Sequence, residues 1–222
     1  MANHCYNYGY FSGDSDQIKK LEEALEREKV NHLKEDYTDK GLKIPSFLNG
    51  NSVILYSKNY NLILSDKKDD FTQPGYDVYN LYGSKWFECE WEVYADREIQ
   101  LMGSSAWSPV IPFFQKICKT YQLESYGDYS ESGNDFAGEF TINKEGELFV
   151  KEMTYLEYEA INNPESFWDY ALELVEMGNF IFFEDVLDYF KEVNWELSKS
   201  EIETLTRYYK NHLQELANKK GK

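Results

Sequence analysis

The mix of apolar patterns in this chain changes near residue 155, and that change constrains the fold more than any other feature. Up to about residue 153 most apolar residues fall in short β-like runs broken by turn residues, with two helical stretches among them. From Asn163 onward they recur only at helical spacing. A strand-rich part followed by a helix-only part predicts an α+β protein. The expected division is a sheet-bearing domain over 1–154 and a helical module over 155–222. No internal repeat accompanies it.

Residues 86–94 (WFECEWEVY) carry the clearest strand pattern. Trp86, Glu88, Glu90 and Glu92 alternate with Phe87, Cys89, Trp91 and Val93, which predicts that the latter four are buried. Residues 3–12 predict a first strand. A helix is expected over about 15–29, capped by Asp14 or Ser15, with Ile18, Leu21, Ala24 and Leu25 on one face. Residues 52–57 and 60–65 are two β-rich runs separated by Lys58-Asn59, which predicts a hairpin. Further strands are expected over 76–82, 122–130, 136–143 and 147–153, and residues 98–107 are read as starting in a strand and ending in a turn. Ser108-Pro109 is read as the start of a helix running to about Tyr121. In the second part, helices are expected over 164–177, over 182–193, and from Ser198 or Ser200 onward.

The 222 residues allow one large domain or a domain with a smaller companion. Aromatic residues make up 17%, enough to supply a core and to set the chain apart from disordered sequences. No apolar run approaches the ~20 residues of a membrane-spanning helix, and the N-terminus has no secretory pattern. The three cysteines (Cys5, Cys89, Cys118) are widely spaced, which fits buried free thiols in a reducing cytoplasm.

The net charge is −17, and it is concentrated. Residues 1–120 carry −4, residues 121–197 carry −16 with only three basic residues, and residues 198–222 carry +3. Such a field disfavours direct nucleic-acid binding, which needs Lys and Arg to displace counterions. It favours basic partners.

Four short motifs occur in order: Asn3-His4-Cys5-Tyr6-Asn7, Gly83-Ser84-Lys85-Trp86, Ala106-Trp107-Ser108-Pro109, and Glu131-Ser132-Gly133-Asn134-Asp135-Phe136-Ala137-Gly138. Together they resemble a ferredoxin-like domain family of unknown function found in phages, conjugative elements and a pathogenicity island. The resemblance covers residues 1 to about 150, with 30–75 as an insertion. His4 departs from it, since the family usually has Trp there. It implies a β-α-β-β-α-β core, with two helices packed on one face of an antiparallel sheet, and a mobile-element setting. It implies no catalytic residues.

No residue pattern calls for a metal or cofactor. The histidines are scattered, and Gly133 to Gly138 lacks the lysine of a phosphate-binding loop. Glu131 and Asp135 flank Gly133 and are candidates for a divalent cation or for acid and base roles; a solvated turn is the plainer reading. Lys85, Trp86 and Trp107 join them as a candidate cleft. The strongest unusual feature is a set of acidic residues at helical spacing: Glu165, Asp169, Glu173 and Glu176, then Glu184, Asp188 and Glu192. Like charges three and four apart share a helix face at a small cost in stability.

The expectation is therefore a non-enzymatic acidic protein of a phage or mobile element. It would bind a basic host protein or nucleoprotein complex in the bacterial cytoplasm, and could inhibit an antiphage defence system by imitating nucleic acid. The alternatives are a virion-associated structural protein and a metal- or nucleotide-dependent enzyme using Glu131 and Asp135.

Overall fold

The computed structural model describes residues 4–48, 50–56, 60, 63, 64 and 82–220. It divides into two compact units, Met1–Glu152 and Met153–Lys222.

The first unit is built on an antiparallel sheet in the order β2-β3-β4-β1-β5-β6-β7. Its strands are β1 (His4–Ser12), β2 (Ser52–Tyr56), β3 (Trp86–Tyr94), β4 (Glu98–Ala106), β5 (Glu124–Glu131), β6 (Phe136–Ile142) and β7 (Leu148–Met153). β1 is central, paired antiparallel to β4 on one side and β5 on the other. The strands β3-β4-β1-β5, with helices α1 (Ser15–Leu33) and α2 (Ile111–Tyr121), form the expected β-α-β-β-α-β core.

Both helices pack on the same face of the sheet. Ile18, Leu21 and Leu25 of α1 and Phe113, Phe114 and Ile117 of α2 join Cys5, Phe11, Phe87, Cys89 and Leu101 in one buried cluster. The rings are packed edge to face, as in Phe11 against Phe114 at 5.2 Å. Gly9 faces this layer because the Phe114 ring lies 2.7 Å from where a Cβ would stand.

Several expectations are corrected here. Residues 52–56 form β2, but Tyr60, Ile63 and Leu64, the described residues of the second expected run, are helical rather than extended. β2 pairs with β3 instead, Val53 opposite Cys89. That places Val53 and Leu55 in the core beside Cys89 and Phe87, a burial the local spacing could not foretell. The strand expected over 76–82 lies outside the described residues except for Tyr82, which is helical. Helix α2 starts later than Ser108-Pro109. Val110 holds the cap position and Pro112 sits in the first turn. The Ser108 hydroxyl donates to the Gly83 carbonyl and is not a cap. Asp14 precedes α1 without a side-chain capping bond.

The second unit is helical: α3 (Tyr155–Asn162), α4 (Pro164–Glu176), α5 (Phe183–Glu192) and α6 (Lys199–Lys220). α3 was not expected. Thr154 and Glu157 start it with a capping box, in which the Thr154 hydroxyl accepts from the Glu157 amide and the Glu157 carboxylate accepts from the Thr154 amide. Ser198 and Glu201 start α6 in the same way. Phe167, Ala171 and Val175 of α4 meet Val186 and Phe190 of α5 and Leu205 of α6 in a separate core. Phe167 stacks on Trp195 at 5.3 Å. Among the described residues no helix is long and apolar enough to cross a membrane.

Candidate functional site

A strand sends successive side chains to opposite faces. In β1, Cys5, Asn7, Gly9 and Phe11 face the helices and are buried. Tyr6, Tyr8 and Tyr10 therefore share the other face, where Tyr6 is 63% exposed. The register places Tyr8 between Met102 and Asp128, and Tyr10 between Gln100 and Tyr126. The same parity brings Trp86, Glu88, Glu90, Glu92 and Tyr94 of β3 to this face, with Glu98 of β4, Glu124, Tyr126 and Asp128 of β5, and Glu139 of β6. The outer surface of the sheet is thus a column of tyrosines flanked by carboxylates. β1 to β6 contain no Lys or Arg.

The rings on this face touch. Tyr10 lies 5.2 Å from Tyr126 and 6.0 Å from Tyr94, and His4 meets Trp86 edge-on at 5.4 Å. Tyr10 donates its hydroxyl proton to Glu98 at 2.6 Å, and Tyr94 donates to Glu92 at 2.5 Å. The Glu98 bond, with burial and nearby negative charge adding to it, pushes the Tyr10 phenol up to about 12. Tyr94 is raised in the same direction, first by its bond to Glu92. Burial, then Tyr126 and Asp128, raise Tyr8. These three shifts all favour the neutral phenol at Tyr8, Tyr10 and Tyr94.

The structure distributes the expected cleft residues between two faces. Trp86 is on the outer face beside His4, following the exposed Lys85. Trp107 is 47% exposed and sits at φ 69°, a left-handed conformation unusual for a bulky residue. Hydrogen bonds on either side hold it there: Ser105 donates to the Ser108 carbonyl, and the Ala106 amide donates to Ser84. Glu131 is only 2% exposed and points to the helix side of the sheet, opposite to Trp86. Its carboxylate accepts from the Gly133 amide at 2.8 Å and the Asn134 amide at 2.6 Å. It closes the β5–β6 turn, in which Asp135 is exposed at φ 52°. Among the described residues no group of three or more His, Cys, Asp or Glu is placed to hold a metal ion.

The three cysteines are buried free thiols. Burial, then the Glu131 charge, pushes Cys5 up to about 12; burial, then Glu124, does the same for Cys118. Cys89 is raised by burial too. Nucleophilic chemistry needs a thiolate, and these sites disfavour one.

In the second unit Glu165, Asp169, Glu173, Glu176, Glu184, Asp188 and Glu192 are all exposed. They lie opposite the buried stripes Phe167/Ala171/Val175 and Val186/Phe190. Lys191, which pairs with Asp188 at 2.6 Å, is the sole basic residue between 164 and 192. The outer sheet face is the feature sequence reasoning missed, although the alternation of Tyr6, Tyr8 and Tyr10 signals it.

Strand order and helix placement define the class: an α+β protein with a ferredoxin-like sheet domain and a helical unit after it. Residues 86–171 match the family model described as a ferredoxin-like domain in Api92-like protein. A solved structure, the crystal structure of a protein api92 from Yersinia pseudotuberculosis, aligns with a TM-score of 0.39 and 9% identity, covering 69% of this chain and 98% of that chain. No curated protein matches significantly.

Proposed function

We propose that this chain is a non-enzymatic binding protein that captures a basic host protein through the acidic faces of α4 and α5. The supporting observation is that all seven of the carboxylates named above stand in solvent, with one lysine near them. A field of one sign on packed helices steers a cationic partner and rejects nucleic acid. The resemblance to a family of phages and conjugative elements supports a setting in bacterial cytoplasm, where a basic, nucleic-acid-binding defence component is a suitable target. Carboxylates four residues apart on a helix repeat about every 6 Å, whereas duplex DNA carries a charge about every 1.7 Å. The surface therefore imitates the sign of a nucleic acid at a lower charge density.

The test is charge reversal of the α4 row, with Asp169, Glu173 and Glu176 changed together to Lys. Affinity capture from expressing bacteria should recover a basic protein that elutes as salt rises, because screening weakens exposed charge pairs. The reversed variant should lose it, together with any inhibitory activity. Unchanged capture by the reversed variant refutes acidic docking at α4.

A further inference from the structure

We propose that the outer face of the sheet is a docking platform for an extended, arginine-bearing polypeptide segment. Its guanidinium groups would lie over the tyrosine rings of β1 and pair with the carboxylates of the strands on either side. This goes beyond the helix-borne surface: the residues differ, and so does the chemistry.

Three observations carry it. First, the aromatic surface is open: Tyr6 is 63% and Tyr126 54% exposed. Aromatic faces attract cations through their quadrupole, and Arg stacks on them more readily than Lys because its planar group is less strongly hydrated. Second, across β1 to β6 the charge on this face has one sign, and the nearest strand-borne cation is Lys151 of the terminal strand β7. Glu88, Glu90 and Glu92 run along β3, and Asp128 and Glu139 lie on the far side of β1, while β1 to β6 hold no Lys or Arg. Single-stranded nucleic acid would also stack on tyrosines, but its phosphates would face these carboxylates with no cation between. A second copy of the chain would bring the same negative face. Third, the spacing suits an extended chain. Tyr6, Tyr8 and Tyr10 recur every second residue, about 6.7 Å apart, which is also the repeat of one side of an extended peptide. A segment with Arg at alternate positions matches the column.

The experiment uses the full chain titrated by calorimetry, at low and physiological salt. The probes are an N-acetylated (Arg-Ser)4 peptide, its (Lys-Ser)4 counterpart and a single-stranded oligonucleotide. The Arg peptide should bind about tenfold tighter than the Lys peptide. The double variant Tyr10→Leu/Tyr126→Leu leaves the charge unchanged and should weaken the Arg peptide about tenfold, as expected for two exposed cation–π contacts. Tyr6→Ser, at the most exposed of these rings, serves as the second variant and should weaken it about threefold. The α4 charge reversal should alter binding less than twofold, which separates this surface from the helical one. The proposal is overturned by absence of Arg-peptide binding, by equal affinity for the two peptides, or by wild-type affinity in the tyrosine variants. Loss confined to the α4 variant, preference for the oligonucleotide, or a dimer that the tyrosine changes dissociate would overturn it as well.

Discussion

Asn7 is the polar group on which the core of the first unit most depends. It is 4% exposed and lies on the helix side of the central strand. Its side-chain amide donates to the Cys5 carbonyl at 2.9 Å and to Ser105 Oγ at 2.8 Å, and its Oδ1 accepts from the Val110 amide at 2.9 Å. One side chain thus joins β1, β4 and the entry to α2. In Asn7→Leu the shape is roughly kept and every bond is lost. The Val110 amide, in a fully buried residue, is then left without its acceptor, which costs about 1–3 kcal/mol. Ser105 Oγ and the Cys5 and Gly103 carbonyls lose the Asn7 donor as well, although Ser105 still donates to Cys5, and a total of about 3 kcal/mol is expected. Hydrogen exchange read by mass spectrometry resolves the two units. Amides of β1, β4 and the first turn of α2 should exchange about a hundredfold faster where exchange follows unfolding, at 1.4 kcal/mol per tenfold. Amides of α4 and α5 should not change. A rise below about threefold in β1 and α2 would refute the assignment of this network as structural.

Two further outcomes are expected. Gly103 sits at φ 143°, and a Cβ there would lie 1.7 Å from the Glu88 carbonyl oxygen, whereas at Gly146 (φ 80°) the nearest atom is 3.1 Å away. Gly103→Ala should therefore cost several kcal/mol in urea unfolding and Gly146→Ala about 1 kcal/mol, and equal costs would refute the close approach of β3 to β4. The second outcome concerns alkaline pH. Cys5 and Cys118 have folded pKa values raised from 9.0 to about 12, so between these values the folded chain binds more protons than the unfolded chain. Stability should fall as pH rises from about 9 towards 12, by about 1.4 kcal/mol per pH unit for each thiol. Cys118→Ala should flatten this dependence, and a slope unchanged from wild type would contradict it.

Residues whose local pattern coincides with their final environment were legible in the sequence. The alternation in 86–94 fixes β3 because one side meets the core and the other meets water; Phe87, Cys89 and Trp91 are buried as expected and Val93 packs against the core partly exposed. The stripe of α1 is legible for the same reason. The pairing of β2 was not: Val53 and Leu55 are placed by β3, more than thirty residues away, and two neighbouring β-rich runs suggest a hairpin instead. The entry to α2 misled because Ser108 and Pro109 suit a helix start, yet the Ser108 hydroxyl bonds to Gly83 across the chain. Helix α3 was hidden by its shortness, although Thr154 and Glu157 stand at capping-box spacing. For the candidate sites, the acidic rows follow from helical period alone. The tyrosine platform does not, because it is assembled by the register of five strands.

Among the described residues, the order of the sheet leaves β2 and β7 as its terminal strands. A terminal strand is a template on which another chain can add by backbone pairing. β7 is the more exposed of the two, with Phe149 at 65% and Val150 at 38%. Lys151 and Glu152 interrupt that apolar run, as gatekeepers do. Beyond them, the net charge of −17 makes every approach of two copies a collision between like-charged bodies. The same carboxylates proposed to greet a cationic partner thus add a colloidal repulsion that opposes edge-to-edge growth of the sheet.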